Sequence, residues 1–229
     1  MRFVTASVLT ALLATAVLAM PSFDASIYEV RTGVYAPGSV VEISGAVVTA
    51  VQANSFTVTS LPAGPYTAIW VYEGAAPTVN VGDVVDLRGL VRDNAGRAEI
   101  NLLYPTDAGY TVTGTAALPA LFVTTIELFT DPEAYESHVL TITDGMIVQE
   151  LLAGGLWRAD SVETQLSVIF GDYFFDYATV DVGDCYNNAY GMFTWYQNQW
   201  VFKVLSVEET DCTVANEDMS LGAVKALFR

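Results

Sequence analysis

Apolar and polar residues alternate along most of this chain with a period of two, which marks β-strands that bury one face. Val41, Ile43, Val47 and Val51 share one parity. Gly45 interrupts that run near its middle, where the lack of a side chain lets a long strand bend sharply. Ser55–Ser60 and Thr67–Glu73 read as two more strands, joined through Leu61-Pro62-Ala63-Gly64-Pro65. A hairpin follows, with Val85, Leu87, Gly89 and Val91 facing in and Asp86, Arg88, Leu90 and Arg92 facing out. Asp93-Asn94-Ala95-Gly96 makes its turn. On the return strand Ala98, Ile100 and Leu102 face in, leaving Arg97, Glu99 and Asn101 outside. Ile126–Phe129 and Asp131–Tyr135 predict a short helix with Pro132 near its start, and Ile27–Val30 holds the same place before the first strands.

The pattern then repeats. Val79-Asn80-Val81-Gly82-Asp83 returns 101 positions later as Val180-Asp181-Val182-Gly183-Asp184, and Gly45-Ala46-Val47-Val48 returns 100 positions later as Gly145-Met146-Ile147-Val148. Two matches at nearly one offset predict two homologous units, because solenoid repeats are much shorter. The second unit offers Leu140, Ile142, Ile147 and Leu151 on one face, with one extra residue before its glycine that predicts a β-bulge near Asp144. Leu156–Asp160, Gln165–Phe170, Asp184–Trp195 and Gln199–Val207 complete it. Five strands per unit, the first long and bent, is the plan of an OB-fold barrel. The expected fold is therefore all-β: two tandem five-stranded OB-like barrels over 24–113 and 126–208, a linker over 114–125, and a short C-terminal helical tail over 209–229. In the tail, Ser220 caps a short helix whose apolar face is Leu221, Val224 and Phe228.

Residues 1–19 read as a signal peptide, with Arg2 before an apolar Val8–Val17 stretch and a cleavage site after Ala19. Removal leaves 210 of the 229 residues, enough for two small domains. The chain is expected to be secreted, to the cell surface, periplasm or medium, and no other segment reads as a membrane span. Its 26 acidic residues face only 9 basic ones, a net charge of −17. Such a surface repels phosphate backbones and disfavours nucleic acid as a partner. Export makes a disulfide the expected state of the two cysteines, Cys185 and Cys212. Two thiols and one histidine do not complete a tetrahedral metal shell, so neither a metal nor another cofactor is expected.

Ile27-Tyr28-Glu29-Val30, Gly38-Ser39-Val40-Val41, Gly45-Ala46-Val47-Val48-Thr49-Ala50, Ile69-Trp70-Val71-Tyr72 and Val81-Gly82-Asp83-Val84-Val85 resemble the secreted bacterial OB-like modules that occur beside extracellular endonuclease/exonuclease/phosphatase domains or in standalone exported proteins. The resemblance covers most of 26–113 and extends over 126–207. Its motifs are turns and core, so it implies fold and export rather than chemistry. The nuclease domain itself is missing, since a single histidine cannot assemble its His/Asp/Asn/Glu constellation.

Little else points to catalysis. His138 has no nucleophile elbow near it, and the chain carries no phosphate-binding loop, dinucleotide glycine fingerprint or EF-hand loop. Binding has more support. With Ile69 and Val71 turned inward, Trp70 and Tyr72 face out from the third strand, on the side OB barrels use for ligands. Outward aromatics stack on sugars or bases. Arg88, Arg92 and Arg97 share the outer face of the neighbouring hairpin, with Asp86 and Glu99 as neutralising neighbours. In the second unit Tyr186, Tyr190, Phe193, Trp195, Tyr196 and Trp200 divide between core and platform. The expected function is a non-catalytic exported binding or accessory protein recognising a glycan or a partner protein. The alternatives are a structural cell-surface component and a nucleic-acid-binding OB module, the second opposed by charge.

Overall fold

A computed structural model describes residues 20–172 and 180–210. The first sheet comprises β1 (Phe23–Asp24), β2 (Val40–Gln52), β3 (Ser55–Thr59), β4 (Ala68–Tyr72), β5 (Asp83–Asn94), β6 (Arg97–Asn101) and β7 (Gly109–Thr115), with helix α1 (Ile27–Arg31) between β1 and β2. Its order is β1-β2-β3-β4-β6-β5-β7, and β2 also pairs with β5, so the ring β2-β3-β4-β6-β5 closes into a five-stranded barrel. The β4–β6 pair is parallel while the other ring pairs are antiparallel. This is an OB-type barrel. Alternation built its core: Ile43, Val58, Ile69, Val71, Val85 and Ile100 lie together inside.

The second sheet comprises β8 (Phe122–Val123), β9 (Val139–Ile142), β10 (Met146–Leu152), β11 (Leu156–Ser161), β12 (Ser167–Gly171), β13 (Cys185–Tyr196) and β14 (Gln199–Thr210). Helices α2 (Thr125–Thr130) and α3 (Pro132–Tyr135) precede β9. The order is β10-β11-β12-β14-β13-β9-β8, with β10 also paired to β13. No strand is shared between the two sheets. The helix expected over 126–135 is divided at Asp131, where Pro132 starts a new one.

Gly45 bends β2 as its position implies. Its φ is +68°, the register against β5 shifts between Ile43 and Ala46, and its N–H donates to the Asp86 carboxylate at 2.8 Å. The second unit departs from the expected bulge near Asp144. Its first strand breaks completely between Ile142 and Met146, and the bulge lies between Val148 and Glu150. Asp144 leaves the ladder because its carboxylate is used elsewhere. It accepts from the Thr125 N–H at 2.9 Å and the Ser161 hydroxyl at 3.2 Å, as well as from the Thr125 hydroxyl, anchoring the start of α2.

The repeated Val-Gly-Asp segments form matching turns. Gly82 (φ +94°) donates to the Val48 carbonyl at 2.8 Å, and Gly183 (φ +101°) donates to the Val148 carbonyl at 2.9 Å. In each, the aspartate closing the turn accepts from a backbone N–H three residues earlier: Asn80 to Asp83 at 2.7 Å, and Asp181 to Asp184 at 2.8 Å. Both turns lead directly into the fourth ring strand, β5 or β13. Helices α1 and α2 also start alike, with capping boxes made by Ser26 and Glu29 and by Thr124 and Glu127, which satisfy the first orphan amides. Regular structure enters the expected linker from both sides, through β7 and β8. The signal peptide, Cys212 and all but the first two residues of the tail lie outside the described residues.

Candidate functional site

Trp70 has the predicted parity and an unpredicted neighbour. Ile69 and Val71 point into the first barrel, and Trp70 points out of it, but the second unit covers the ring. It is 5 % exposed and clusters with Ala50, Val139 and Met192, with Tyr72 and Tyr190 packed alongside. The Arg97 guanidinium lies 4.0 Å from the ring centroid, and the Lys203 ammonium 5.7 Å from it. Glu99, expected in solvent, is 2 % exposed. It sits 3.6 Å from Arg97 and accepts from Asn94 at 3.0 Å. Burial lowers the Arg97 pKa, and the nearby carboxylates of Glu99 and Glu136 pull it back up. Asn101, expected outside too, is fully buried, and its side-chain carbonyl accepts from the Leu103 N–H at 3.0 Å.

The exposed stacking platform expected from Trp70 and Tyr72, with Arg97 on the outer face of the neighbouring hairpin, is therefore corrected to a seam between the two units. Alternation reports only that a side chain leaves its own barrel. Whether water or another barrel lies beyond is a tertiary matter.

A polar latch closes the same seam. Arg31 of α1 pairs with Glu136, with side-chain exposures of 2 % and 0 %, and also donates to the Glu133 carbonyl. Burial pushes the Glu136 carboxyl up, and Arg31 opposes that shift. The Tyr66 hydroxyl donates to Asp131 at 2.8 Å, its N–H donates to the Ala134 carbonyl at 2.6 Å, and Thr67 meets the His138 Nε2 at 3.2 Å. His138 is 1 % exposed, and burial lowers its pKa to about 4. The imidazole is thus neutral and committed to the seam.

The remaining arginines part company. Arg92 is exposed near the hairpin tip. Arg88 stands at the centre of a shallow groove of about 500 Å³ on the outer face of β2, β5 and β7, lined by Glu42, Ser44, Asp86, Asp107, Gly109 and Thr111 among others. Strand register builds it, placing Glu42 and Gly109 on either side of Arg88 and Thr111 beside Asp86. Arg88 donates to Glu42 at 2.7 Å, lies 3.3 Å from Asp107 and donates to the Met20 carbonyl at 2.5 Å. A Cβ on Gly109 would meet nothing within 4 Å, so the floor is open. The Ser22 hydroxyl and then Arg88 hold the Glu42 carboxyl below the usual range.

The second unit's aromatics divide between roles. Tyr186 and Phe193 are core, Tyr190 belongs to the seam, and Trp200 stacks on Phe193 with 5.1 Å between centroids and meets Trp195 edge-on at 5.1 Å. Tyr196 stands 5.2 Å from the Lys203 ammonium. Sequence reasoning missed Met192 and Lys203 as seam residues. The available signal was Met192, a large apolar side chain at an outward position of its strand, opposite the equally apolar Val139. Among the described residues no cluster of His, Cys, Asp or Glu has metal-holding geometry, and no helix is long and apolar enough to cross a membrane.

No family model matches the chain, and no curated protein matches it. Among solved structures it is similar to the HINb domain of p204, at 7 % identity over 76 % of this chain and 98 % of that one, with a TM-score of 0.34. It is also similar to the Ifi202 HINa domain in complex with 20-bp double-stranded DNA, at 8 % identity over 76 % and 97 % of the two chains, with a TM-score of 0.33. A third likeness is to a replication protein A heterotrimer bound to single-stranded DNA, at 8 % identity over 95 % of this chain and 75 % of that one, with a TM-score of 0.27. Likenesses this distant carry no argument about what the chain binds.

Proposed function

We propose that this chain is a non-catalytic exported accessory protein, built from tandem OB-type units, that holds a glycan in the Arg88 groove. The tandem reading is supported by the matching Gly82 and Gly183 turns, the two capping boxes, and a parallel β12–β14 pair where the first unit has β4–β6. Export and a Cys185–Cys212 bridge belong to the same reading. No free cysteine occurs among the described residues, and titration of the denatured, unreduced protein should find no thiol.

The observation that carries the function is the composition of the groove. A guanidinium, three carboxylates and the hydroxyls of Ser44 and Thr111 line one open face, a set that hydrogen-bonds the vicinal hydroxyls of a sugar. Three carboxylates against one arginine disfavour a polyphosphate. Catalysis is opposed by the position of the only histidine, His138, which is buried in the seam.

A glycan array followed by calorimetry on the full chain tests this. Binding of a neutral glycan should fall about tenfold, or about 1.4 kcal/mol, in Arg88→Gln and Asp107→Asn. No binding on the array, or binding indifferent to both changes, refutes the reading. Tighter binding of DNA than of any glycan would favour the nucleic-acid alternative.

A further inference from the structure

We infer that Ile126 and Phe129, on the outward side of α2, form a docking surface for the 34–37 turn of a second copy of this chain. The contact is head to tail and repeats, between copies, the seam that joins the two units within one. The inference rests on the tandem reading and not on the Arg88 groove, so a failure of glycan binding would leave it standing.

Register and hydrogen bonding identify which residues correspond. The two helices start from the capping residues Ser26 and Thr124, so Tyr28 and Arg31 of α1 match Ile126 and Phe129 of α2. The Gly38 N–H donates to the Val91 carbonyl just as the Ser137 N–H donates to the Phe193 carbonyl, so Pro37 matches Glu136. Gly89 pairs with Val41 as Gly191 pairs with Leu140, so Leu90 matches Met192. Val71 faces Ile100 as Phe170 faces Phe202, so Trp70 matches Ile169.

Each seam contact can now be set beside the pair that a second copy, docked in the same way, would form. Within one chain, α1 supplies Arg31 and the other unit supplies Glu136. Their counterparts are Phe129 and Pro37. An ion pair is replaced by an apolar pair, on both sides at once. The contact of Trp70 with Met192 becomes Ile169 with Leu90, again apolar on both sides. Tyr66, whose φ of +61° is shared by Gln165, reaches across the seam to Asp131. Gln165 instead turns its amide back to the Val162 carbonyl at 3.1 Å. The exception is Arg88, the counterpart of Tyr190, and it is held in its own groove by Glu42 and Asp107.

The counterparts are open to solvent. Ile126 is 55 % exposed, Phe129 40 % and Val34, in the same turn as Pro37, 64 %. Pro37 is exposed as well. Ile126 and Phe129 stand three positions apart and so share one side of the helix, while Thr125 and Leu128 are buried. The docking surface and the turn it receives lie on different units. A contact between them is therefore heterologous and leaves one free face at each end, so copies add in an open row. Copies of net charge −17 repel one another. An uncharged contact adds nothing to that repulsion.

Sedimentation velocity on the full chain, between about 1 μM and 1 mM and at low and high salt, tests this. Wild type should form dimers and longer species as concentration rises, more readily at high salt, where repulsion between acidic copies is screened. Phe129→Asp and Val34→Asp should each weaken association about tenfold or more, with thermal melts unchanged because both side chains are exposed. Mixing those two variants should restore a one-to-one dimer, since each keeps the face that the other has lost. Phe129→Arg combined with Pro37→Glu recreates the ion pair of the inner seam and should associate again, now more weakly as salt rises. A monomer at every concentration overturns the inference. Protection of Phe129 from hydroxyl-radical footprinting in that monomer would assign the face to residues 211–229 of the same chain. Association untouched by Phe129→Asp, or no dimer from the mixed variants, overturns it too.

Discussion

Replacing Trp70 by alanine should separate the two units before it unfolds either one. The indole is 5 % exposed, and burying a tryptophan and then truncating it typically costs about 3–5 kcal/mol. The Arg97 contact at 4.0 Å contributes about 1–2 kcal/mol where desolvated, much of it within that total because the same ring is lost. The expected loss is therefore about 3–5 kcal/mol. Its location matters more than its size. The first barrel's core uses Ile69 and Val71, the neighbours of Trp70, and not Trp70 itself. Truncation should thus leave the barrel closed while weakening its docking. In urea, the variant should lose hydrogen-exchange protection first at the seam amide of Tyr66, which donates to Ala134 of the other unit, and later at core-strand amides such as Val58 and Phe170. Trp70→Phe should recover about half of the loss, since a smaller ring keeps the contact with fewer atoms. A change below about 1 kcal/mol, the range of ordinary surface substitutions, would refute the seam. So would simultaneous loss of seam and core protection.

Other consequences are open to direct measurement. Glu136→Gln should destabilise by about 3–5 kcal/mol because it strands the buried Arg31 charge, whereas Arg31→Met combined with Glu136→Leu should restore most of that in chemical denaturation. Burial holds the His138 pKa at about 4 in the folded state, below its ordinary 6.5. The neutral ring's contribution is therefore complete above pH 6.5 and lost as pH falls toward 4. Over that window wild type should lose about 3 kcal/mol more than His138→Gln, and parallel pH profiles would contradict this. Gly82→Ala and Gly183→Ala place a Cβ at φ +94° and φ +101°, and each should lower stability by about 1–3 kcal/mol. A loss at only one of the two positions would count against equivalent turns.

Legibility differed from residue to residue. Ile69, Val71, Val85 and Ile100 were readable as core because a strand's alternation depends only on its own backbone. The Gly82 and Gly183 turns were readable because a tight turn draws its geometry from residues adjacent in sequence. Asp144 was not, since one extra residue can be absorbed as a bulge or as a break. The choice was made by Thr125 and Ser161, hydrogen-bond donors that lie nineteen and seventeen positions away in the chain. The seam left a trace that can be read backwards. By register, Glu42 and Arg88 on the first unit's outer face correspond to Thr141 and Tyr190 on the second. The charged version became an open groove, and the less polar version received the other barrel.

By itself, then, the sequence determined two stretches of short alternating strands, their shared turns, the inward-facing residues of β4, β5 and β6 and a strongly acidic surface. All of these follow from local backbone preference and from the burial of one face of each strand. It put Ile147 and Leu151 inward, however, where the core takes Met146 and Val148. Tertiary structure alone decided which outward faces meet. It placed Trp70 against Met192, Arg31 against Glu136, and Arg97 and Lys203 near the Trp70 ring, and so covered one outer face while leaving the Arg88 groove open. The physical reason is that docking depends on the shape and charge of two surfaces about a hundred residues apart. No pattern within either stretch records the surface that the other presents.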